Sequence, residues 1–471
     1  MKRRLLLTLT GLALMTGSQG GCSDEPPHDE FAAALLAELV ATNTAPSGGN
    51  DMRPAVALLV RHLKDAGFGD DDIFAQGQTA ELQNLVVRLR SQSPARKPVL
   101  LMAHMDVVEA LAEDWNYEPF RLTEDDGYYY GRGSIDNKAG VAILVANLIR
   151  LKEEGFEPDR DLIVMLTADE ESTGRAVRWL LDEHRDIVDA GFALNTDGGP
   201  VLLVDGKPAA LMLQTSEKIY ASFALEATDP GGHSSRPQRD SAISRLARAL
   251  VDLEAYEFPI ELNETTRAFF KSWSLVAPED AALFEQVLSD NPDAGKLDKL
   301  LDEPYYNAVA RTTCVATQLS GGHAENALPQ SARAVVNCRF LPQSDISTVA
   351  GVLQDLSSPW GVTVTGIGSP TLSPPSPLTP EIVDPISALA RSLWPDIVVI
   401  PEMSTGATDG AFVRNAGIPV YAVAAIAYDP NDLRAHGQDE RIGIQAFQDS
   451  NRYWYLLMKE FASGVGRKSA P

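Results

Sequence analysis

Residues 162–171 read LIVMLTADEE and join five apolar residues to a group of three adjacent acids, Asp169, Glu170 and Glu171. A short run of Leu, Ile, Val and Met is typical of a strand that is buried on both faces of a helix-covered sheet. In α/β proteins, sites lie at the carboxyl ends of such strands. Because neighbouring carboxylates repel one another unless a cation lies among them, the segment predicts a central strand that ends at a metal site. For the three acids taken alone, a solvated loop is the alternative.

Predicted strands and helices alternate around this segment. Apolar runs predict strands at 85–89, 99–103, 398–400 and 420–423. Helix-period or continuous apolar residues predict helices at 31–41, 55–68, 140–151 and 444–461. The alternation predicts an α/β fold, a mixed sheet with helices on both faces.

The pattern changes after residue 214. Strands are predicted at 219–227, 332–339 and 362–364, and helices at 241–253 and 346–356. This order predicts an inserted α+β domain of ferredoxin-like type at 216–370, between catalytic parts at 30–215 and 376–463. The Pro-rich segment 371–380 is the predicted return linker. A mostly helical, acidic stretch at 256–306 lies within this insertion, and the sequence does not predict which part of the fold it packs against.

The amino terminus predicts export. Lys2, Arg3 and Arg4 precede a short apolar run at 5–15, and Cys22 follows small residues, so 1–22 is read as a signal peptide. The position of Cys22 resembles a bacterial lipoprotein cleavage site, which predicts a periplasmic protein tethered to the membrane. Because Gln19 departs from that pattern, ordinary signal cleavage is the alternative.

Charge and cysteine content give two further expectations. The formal net charge is −25, and so acidic a surface repels nucleic acid, for which we predict no role. Cys314 and Cys338 are the cysteines beyond the signal. They either pair in an oxidising compartment or are two buried thiols.

Four more motifs carry candidate ligands, of which the first three follow predicted strands or open helices and the fourth lies in a predicted loop. They are His104-Met105-Asp106, Gly131-Arg132-Gly133-Ser134-Ile135-Asp136, Asn195-Thr196-Asp197-Gly198-Gly199 and Ala435-His436-Gly437. Taken alone, each motif is weak evidence for a metal site. The alternatives, in the same order, are a surface hydrogen bond, a helix cap, a turn and an ordinary loop histidine. Together, two histidines and several carboxylates are the ligands that a pair of zinc ions prefers. One further carboxylate is the general base of a metal-dependent hydrolase.

As an ordered set, these motifs resemble the co-catalytic zinc amidohydrolase and exopeptidase family. That family includes acetylornithine deacetylase, succinyl-diaminopimelate desuccinylase, aminoacylase, carnosinase and glutamate carboxypeptidase. The resemblance implies a zinc-exopeptidase-like catalytic domain and two Zn²⁺ ions, with Co²⁺ or Mn²⁺ as alternatives. It implies one metal on His104 and Asp197, the other on Glu171 and His436, and Asp136 as the bridge. It also implies that Glu170 is the base, that Asp106 orients His104 and that the Asp136–Asn137 peptide is cis.

The inserted domain carries further similar segments. Gly231-Gly232-His233 resembles the segment whose histidine reaches the partner subunit's site and stabilises the oxyanion, which implies a homodimer through a lid and dimerisation domain. Asn326 and Arg339 match substrate-binding positions, with Arg339 gripping a substrate carboxylate; an ordinary strand salt bridge is the alternative for Arg339. Gly406 lies in a loose match to the substrate loop.

The sequence therefore predicts hydrolysis of an amide bond next to a free carboxylate. The substrate is a small peptide, as for a dipeptidase or carboxypeptidase, or an N-acyl amino acid, as for a deacylase. A non-catalytic binding lipoprotein predicts a missing ligand or base, whereas every expected one is present. A neutral aminopeptidase without an insertion is disfavoured by residues 219–364.

Overall fold

The computed structural model describes residues 26–463. The predicted signal peptide at 1–22, with Cys22, lies outside this range. Within the described chain, no helix combines the length and apolar character that a membrane span requires.

The helices and strands fall into three groups along the chain. The first part contains helices α1 (Pro26–Ala41), α2 (Arg53–Asp65), α3 (Lys138–Glu153), α4 (Arg175–Glu183) and α5 (Arg185–Val188). Its strands are β1 (Ile73–Gly77), β2 (Gln83–Leu89), β3 (Val99–His104), β4 (Thr123–Asp125), β5 (Tyr128–Tyr130), β6 (Leu162–Thr167), β7 (Phe192–Asn195), β8 (Val201–Val204) and β9 (Lys207–Glu217).

The middle part contains helices α6 (Ala242–Glu254), α7 (Glu264–Trp273), α8 (Ala281–Leu288), α9 (Ala294–Leu301), α10 (Pro304–Ala310) and α11 (Ile346–Ser357). Its strands are β10 (Ile219–Thr228), β11 (Gly232–His233), β12 (Thr313–Gly321), β13 (Ala327–Leu328), β14 (Ser331–Phe340) and β15 (Thr363–Ile367). The last part contains α12 (Pro380–Leu393), α13 (Gly410–Asn415), α14 (Ile444–Ala462), β16 (Val398–Ser404), β17 (Val420–Ala422), β18 (Ala427–Tyr428) and β19 (Arg441–Gly443). The strands and helices predicted from sequence are confirmed, with small differences at their ends.

A mixed sheet forms the centre of the molecule, in the order β1-β2-β6-β3-β7-β17-β9-β8-β18, with β16 also paired to β9. Successive residues of β3 enter different cores: Leu101 packs with α1, α3 and α14, whereas Leu100 and Met102 pack with α4 and α13. Because side chains alternate across a strand, a strand covered on both faces needs apolar residues at every position. This is why 162–166 and 99–103 are continuous apolar runs, and the predicted α/β fold is confirmed.

A second, antiparallel sheet has the strand order β12-β14-β10-β15 and is covered by α6 and α11. Taken along the chain, its main elements run β-α-β-β-α-β, the ferredoxin-like arrangement that the sequence predicts. Cys314 and Cys338 face each other on β12 and β14 and form a disulfide, so pairing is the correct alternative.

The stretch that the sequence left unplaced forms α7 to α10. These helices pack Phe269, Phe270 and Phe284 against Met212 of β9 and Ile400 of β16. They therefore cover part of the large sheet, although the chain reaches them from within the insertion.

Candidate metal centre

Three neighbouring strands bring the predicted ligands to one edge of the large sheet. β6, β3 and β7 are parallel neighbours, and they are followed by Glu170, by Asp106 and by Asp197, respectively. His104 is the last residue of β3. Because the carboxyl ends of parallel strands meet at the same edge, residues separated by more than ninety positions in sequence lie together.

Asp136 lies between the two predicted histidine ligands. His104 Nε2 is 3.1 Å from Asp136 Oδ1, and His436 Nε2 is 3.1 Å from Asp136 Oδ2. His436 Nε2 is also 3.0 Å from Glu171 Oε1. Each Asp136 oxygen therefore faces a different histidine, which is what the predicted bridging role would require. The Asp136–Asn137 peptide is cis, as the resemblance implies.

The donor groups fit a metal centre. His104, Asp136 and Glu171 form one set of possible ligands, and His104, Glu170 and Asp197 form another, with ligand atoms within 4.8 Å of one another in each set. Imidazole nitrogen and carboxylate oxygen suit zinc, cobalt or manganese.

The charges of the site also favour a bound cation. Burial raises the pKa of Asp197 to about 8, and the neighbouring Asp136 charge adds to this rise. Burial, together with the charge of Asp197, raises the pKa of Glu170 well above its usual value. Hydrogen bonds to Asp136 and Glu171 raise the pKa of His436 to about 10. A cation among crowded carboxylates favours their ionised forms, and a divalent metal would supply that charge.

Asp106 has a wider positioning role than the sequence predicts. His104 Nδ1 is 3.0 Å from the backbone oxygen of Asp106 and 3.6 Å from its carboxylate. The carboxylate oxygens accept hydrogen bonds from the backbone N–H groups of Glu170 and Glu171, at 3.1 and 3.0 Å. Asp106 therefore joins the end of β3 to the acidic segment after β6.

Glu440 is a positioning residue that the sequence analysis did not single out. Its buried carboxylate accepts hydrogen bonds from the backbone N–H groups of Gly133, Ile135 and Asp136, and it pairs with the buried Arg132. The backbone oxygen of Glu440 accepts from Gly131 N–H. The signal was an acid four residues after His436 and a glycine-rich turn elsewhere, but only the fold joins them.

Helix α3 begins very close to the segment that carries Asp197. A Cβ added to Gly140 would lie 2.0 Å from Asn137 Oδ1 and 2.1 Å from Thr196 Oγ1. Thr196 Oγ1 also donates to Asn137 Oδ1 at 3.0 Å. Glycine is needed at 140 because it lets the segments that carry Asp136 and Asp197 approach each other.

A cavity of about 410 Å³ opens beside Glu170. Ala407, Thr408 and Asp409 line it, whereas the predicted Gly406 is exposed and is not among the lining residues. Burial raises the pKa of Asp409, a residue that the sequence analysis did not single out, to about 7. The substrate loop therefore reaches the cavity, one to three residues after the glycine.

The predicted catalytic residue His233 and the predicted substrate-binding residues Asn326 and Arg339 lie on the second sheet or at the short β11–β13 ladder. Arg339 lies over the ring of Tyr220, 4.8 Å from its centroid, and Tyr220 lines the cavity beside Glu170. His233 on β11 pairs with Ala327 on β13, and Asn326 accepts a hydrogen bond from Ser234 N–H. Among the described residues, no hydrogen bond or ion pair joins His233 or Asn326 to the metal ligands of the same chain.

The arrangement of ligands, bridge and buried acid is that of a metal-dependent hydrolase. The sequence model of Peptidase family M20/M25/M40 matches residues 100–460. The chain belongs to this family, so it is a peptidase or amidohydrolase that acts on C–N bonds and uses two metal ions. The family resemblance read from the sequence is confirmed.

Known relatives cover most of the chain. It is 31% identical over 395 residues to the N-fatty-acyl-amino acid synthase/hydrolase PM20D1.1 of Danio rerio, across 77% of this chain and 72% of the relative. It is 28% identical over 389 residues to the probable carboxypeptidase S-like 2 of Dictyostelium discoideum, across 80% of this chain and 74% of that relative.

Solved structures share the fold. The M20 family metallo-carboxypeptidase Sso-CP2 from Sulfolobus solfataricus aligns with a TM-score of 0.67 at 19% identity, over 92% of this chain and 99% of that one. Human carnosine dipeptidase 1 aligns with a TM-score of 0.60 at 18% identity, over 93% of this chain and 97% of the dipeptidase chain.

Proposed function

We propose that this protein hydrolyses the amide bond of an N-acyl amino acid or dipeptide whose leaving amino acid has a free carboxylate. The observation that carries this proposal is Arg339. Its half-buried guanidinium packs on Tyr220 beside the cavity, and within residues 26–463 it has no carboxylate partner. Burial lowers its pKa below the usual range, and a desolvated guanidinium binds a carboxylate bidentately.

N-acyl amino acids are the first substrate class to test. The cavity beside Glu170 carries apolar surface from Tyr220, Pro370, Ala411 and Phe412, which suits an apolar acyl group. The relatives named N-fatty-acyl-amino acid synthase/hydrolase support this class. The relative named carboxypeptidase S-like 2 supports a peptide as the second class.

Glu170 is the residue that moves protons. Divalent cations, when bound, supply Lewis-acid activation of a water molecule and of an amide carbonyl. The residues to hold them are His104, Asp136, Glu171, Asp197 and His436. Glu170 removes a proton from the attacking water and gives it to the nitrogen of the leaving amino acid.

Zinc is the metal we propose, with cobalt or manganese as the alternatives. Elemental analysis of the purified protein, without added metal, tests this directly. Two zinc atoms per chain support the proposal, and two manganese or cobalt atoms contradict it.

The substrate proposal is tested with matched compounds that differ only in a free or amidated carboxyl terminus. We expect the free acids to be preferred, and Arg339→Met to lower kcat/KM for them by roughly ten- to hundredfold, the cost of losing a hydrogen bond to a charged group. Arg333→Met is the control, because Arg333 is an exposed arginine on the same strand. Equal turnover of acids and amides by the wild-type protein would contradict the carboxylate role.

We also propose a homodimer in which His233 and Asn326 complete the site of the partner subunit. The support is the edge strand β12, where Val315 and Leu319 are 60% and 71% exposed. An unpaired, apolar strand edge favours pairing with a second chain. In this arrangement the second sheet acts as a lid and as the dimerisation domain.

Mixing two inactive variants tests the shared site. His233→Ala keeps Glu170, and Glu170→Gln keeps His233, so a mixed dimer contains one complete site. After subunit exchange at equal amounts, about a quarter of wild-type activity is expected, because half of the dimers are mixed and each has one working site. If His233 acted within its own chain, the mixture would stay inactive.

Export to the periplasm, with lipidation of Cys22, is a further proposal. It is supported by the Cys314–Cys338 disulfide, since disulfides persist in oxidising compartments. Membrane fractionation of the native protein and of Cys22→Ser tests it. Release of Cys22→Ser from the membrane supports the tether, and equal distribution of both proteins contradicts it.

A further inference from the structure

The chain leaves the large sheet at Glu217, the last residue of β9, and enters the second sheet at Ile219. It returns through the segment between β15 and α12, which contains Ser373. A buried ion pair between Glu217 and Arg414 of α13 lies where these crossings meet, and the two side chains are 0% and 1% exposed.

Glu217 uses both of its carboxylate oxygens. Oε1 accepts from Arg414 and, at 3.3 Å, from Ser373 Oγ. Oε2 accepts from Thr408 N–H at 2.8 Å and from Gln214 Nε2 at 3.5 Å. One carboxylate therefore contacts the outgoing strand, the return linker, the substrate loop and the helix after that loop.

The neighbouring residues extend this connection to the second sheet. Lys218 Nζ donates to the backbone oxygen of Arg311 at 2.8 Å and to Oγ1 of Thr313, the first residue of β12, at 3.3 Å. Lys218 N–H donates to the backbone oxygen of Ser404 at 2.9 Å. Arg414 Nε donates to Ser373 at 3.2 Å. Adjacent side chains thus point to different parts of the molecule, Glu217 to the substrate loop and Lys218 to the second sheet.

The segments that Glu217 contacts are also walls of the cavity beside Glu170. The cavity is lined by Lys218 and Tyr220 from the outgoing crossing, by residues 369–371 of the segment between β15 and α12, and by residues 407–409 of the substrate loop. A shift of either crossing therefore changes both the cavity and the Thr408 backbone.

We propose that Glu217 is a positioning residue that couples the placement of the second sheet to the shape of the substrate loop. A buried pair with every oxygen satisfied holds one arrangement, because an unpaired buried charge is strongly disfavoured. Substrate binding to the loop and movement of the second sheet are then linked through this pair, without contact between Glu217 and the substrate.

Glu217→Gln tests the coupling with little change in shape. Glutamine has one oxygen, so it must turn its NH₂ group towards Arg414 or towards Thr408 N–H, and one of these bonds is lost. We expect KM to rise roughly ten- to hundredfold, the effect of a small displacement on substrate positioning. The change in kcat should be smaller, and the metal content should not change.

Hydrogen–deuterium exchange gives a readout that needs no substrate. In Glu217→Gln and in Arg414→Met, we expect peptides that contain Thr408 and peptides that contain Ser373 to exchange faster together. Arg88→Met is the control, because it breaks the remote, partly buried pair with Asp161. This control should destabilise the protein without faster exchange at Thr408 or a change in KM.

Unchanged exchange at Thr408 and Ser373, with unchanged KM, would overturn the proposal. If both charge variants fail to fold, Ser373→Ala removes only the contact with the linker. Faster exchange of the linker and of the Thr408 peptide in that variant supports the coupling, and no change at Thr408 contradicts it. If the wild type cleaves none of the proposed substrates, that function fails, while hydrogen exchange still decides the coupling.

Discussion

The metal centre and the His233 hairpin hold their polar side chains in different ways. His104 and Asp106 are buried at the end of a central strand, and Asp136 follows a loop held by the buried Glu440 and Arg132. His233 instead stands exposed on a two-residue ladder with β13. In the metal centre, contacts within the same chain hold the polar side chains in place. In the hairpin, the His233 side chain faces outward from its own chain.

The difference shows which residues must be preorganised within the chain. Metal ligands need fixed spacing, and most of the candidate ligands lie at or just after the ends of central strands or after a loop held by buried hydrogen bonds. A residue that serves a neighbouring subunit must instead be exposed in its own chain. Stability and activity should therefore separate in variants of the hairpin, and should change together in variants of the buried residues that hold the candidate metal ligands in place.

The largest effect is expected from Glu170→Gln. Loss of the general base should lower kcat by about 10²- to 10⁴-fold, while metal content and stability stay close to those of the wild type. Steady-state kinetics with elemental analysis measures both. Glu183→Gln, an exposed acid at the end of α4, is the control. Wild-type turnover in Glu170→Gln would show that another group is the base.

The second largest decrease in kcat is expected from His233→Ala. If His233 stabilises the oxyanion in the partner subunit, its loss should lower kcat by about 10²- to 10³-fold. Because the side chain is exposed, the unfolding temperature should not change. His323→Ala, a second exposed histidine in the insertion, is the control. A large drop in the unfolding temperature would place His233 in a structural role instead.

Glu440→Gln should affect both metal binding and stability. The amide has one oxygen for four donors, so the loop that carries Asp136 loosens and metal affinity should fall by about 10- to 100-fold. Metal titration in a competing chelator measures this change, and thermal unfolding should show a lower midpoint. Glu460→Gln on α14 serves as the matched control. Unchanged affinity would mean that the loop keeps its shape without the carboxylate.

The smallest effect on turnover is expected from removing the disulfide. Replacing Cys314 and Cys338 with alanine opens a loop of 24 residues. The free energy of unfolding should fall by about 3 kcal/mol, with metal content unchanged because the disulfide lies in the second sheet. Denaturant unfolding measures this, with the reduced wild type for comparison. Loss of bound metal in the variant would show that metal binding at the large sheet depends on the disulfide in the second sheet.

The sequence predicted the central strands well because burial on both faces leaves a strong signal. Residues 162–166 and 99–103 are apolar at every position, and they form β6 and β3. It could not place α7 to α10, because an amphipathic helix shows that it has an apolar face but does not show which surface covers that face. Their aromatic residues pack on β9 and β16, far away in sequence.

The candidate site, like the fold, could be predicted only in part from the sequence. Most of the candidate metal ligands carry local signals, since they follow a strand or open a helix, whereas His436 lies in a loop. Glu440 and Glu217 carry no local signal that separates them from solvated acids, because a buried acid among 65 acidic residues looks the same in the sequence. Only the hydrogen bonds that they accept reveal their roles.

The order of elements, the candidate ligands and base, and the resemblance to a hydrolase family could all be read from the amino-acid sequence. These depend on local periodicity and on residue type. The tertiary structure decided that Asp136 faces two histidines, that Glu440 holds the loop before it, and that Glu217 joins the insertion to the substrate loop. Each of these contacts joins residues far apart in the chain, and their proximity depends on how strands pair and helices pack.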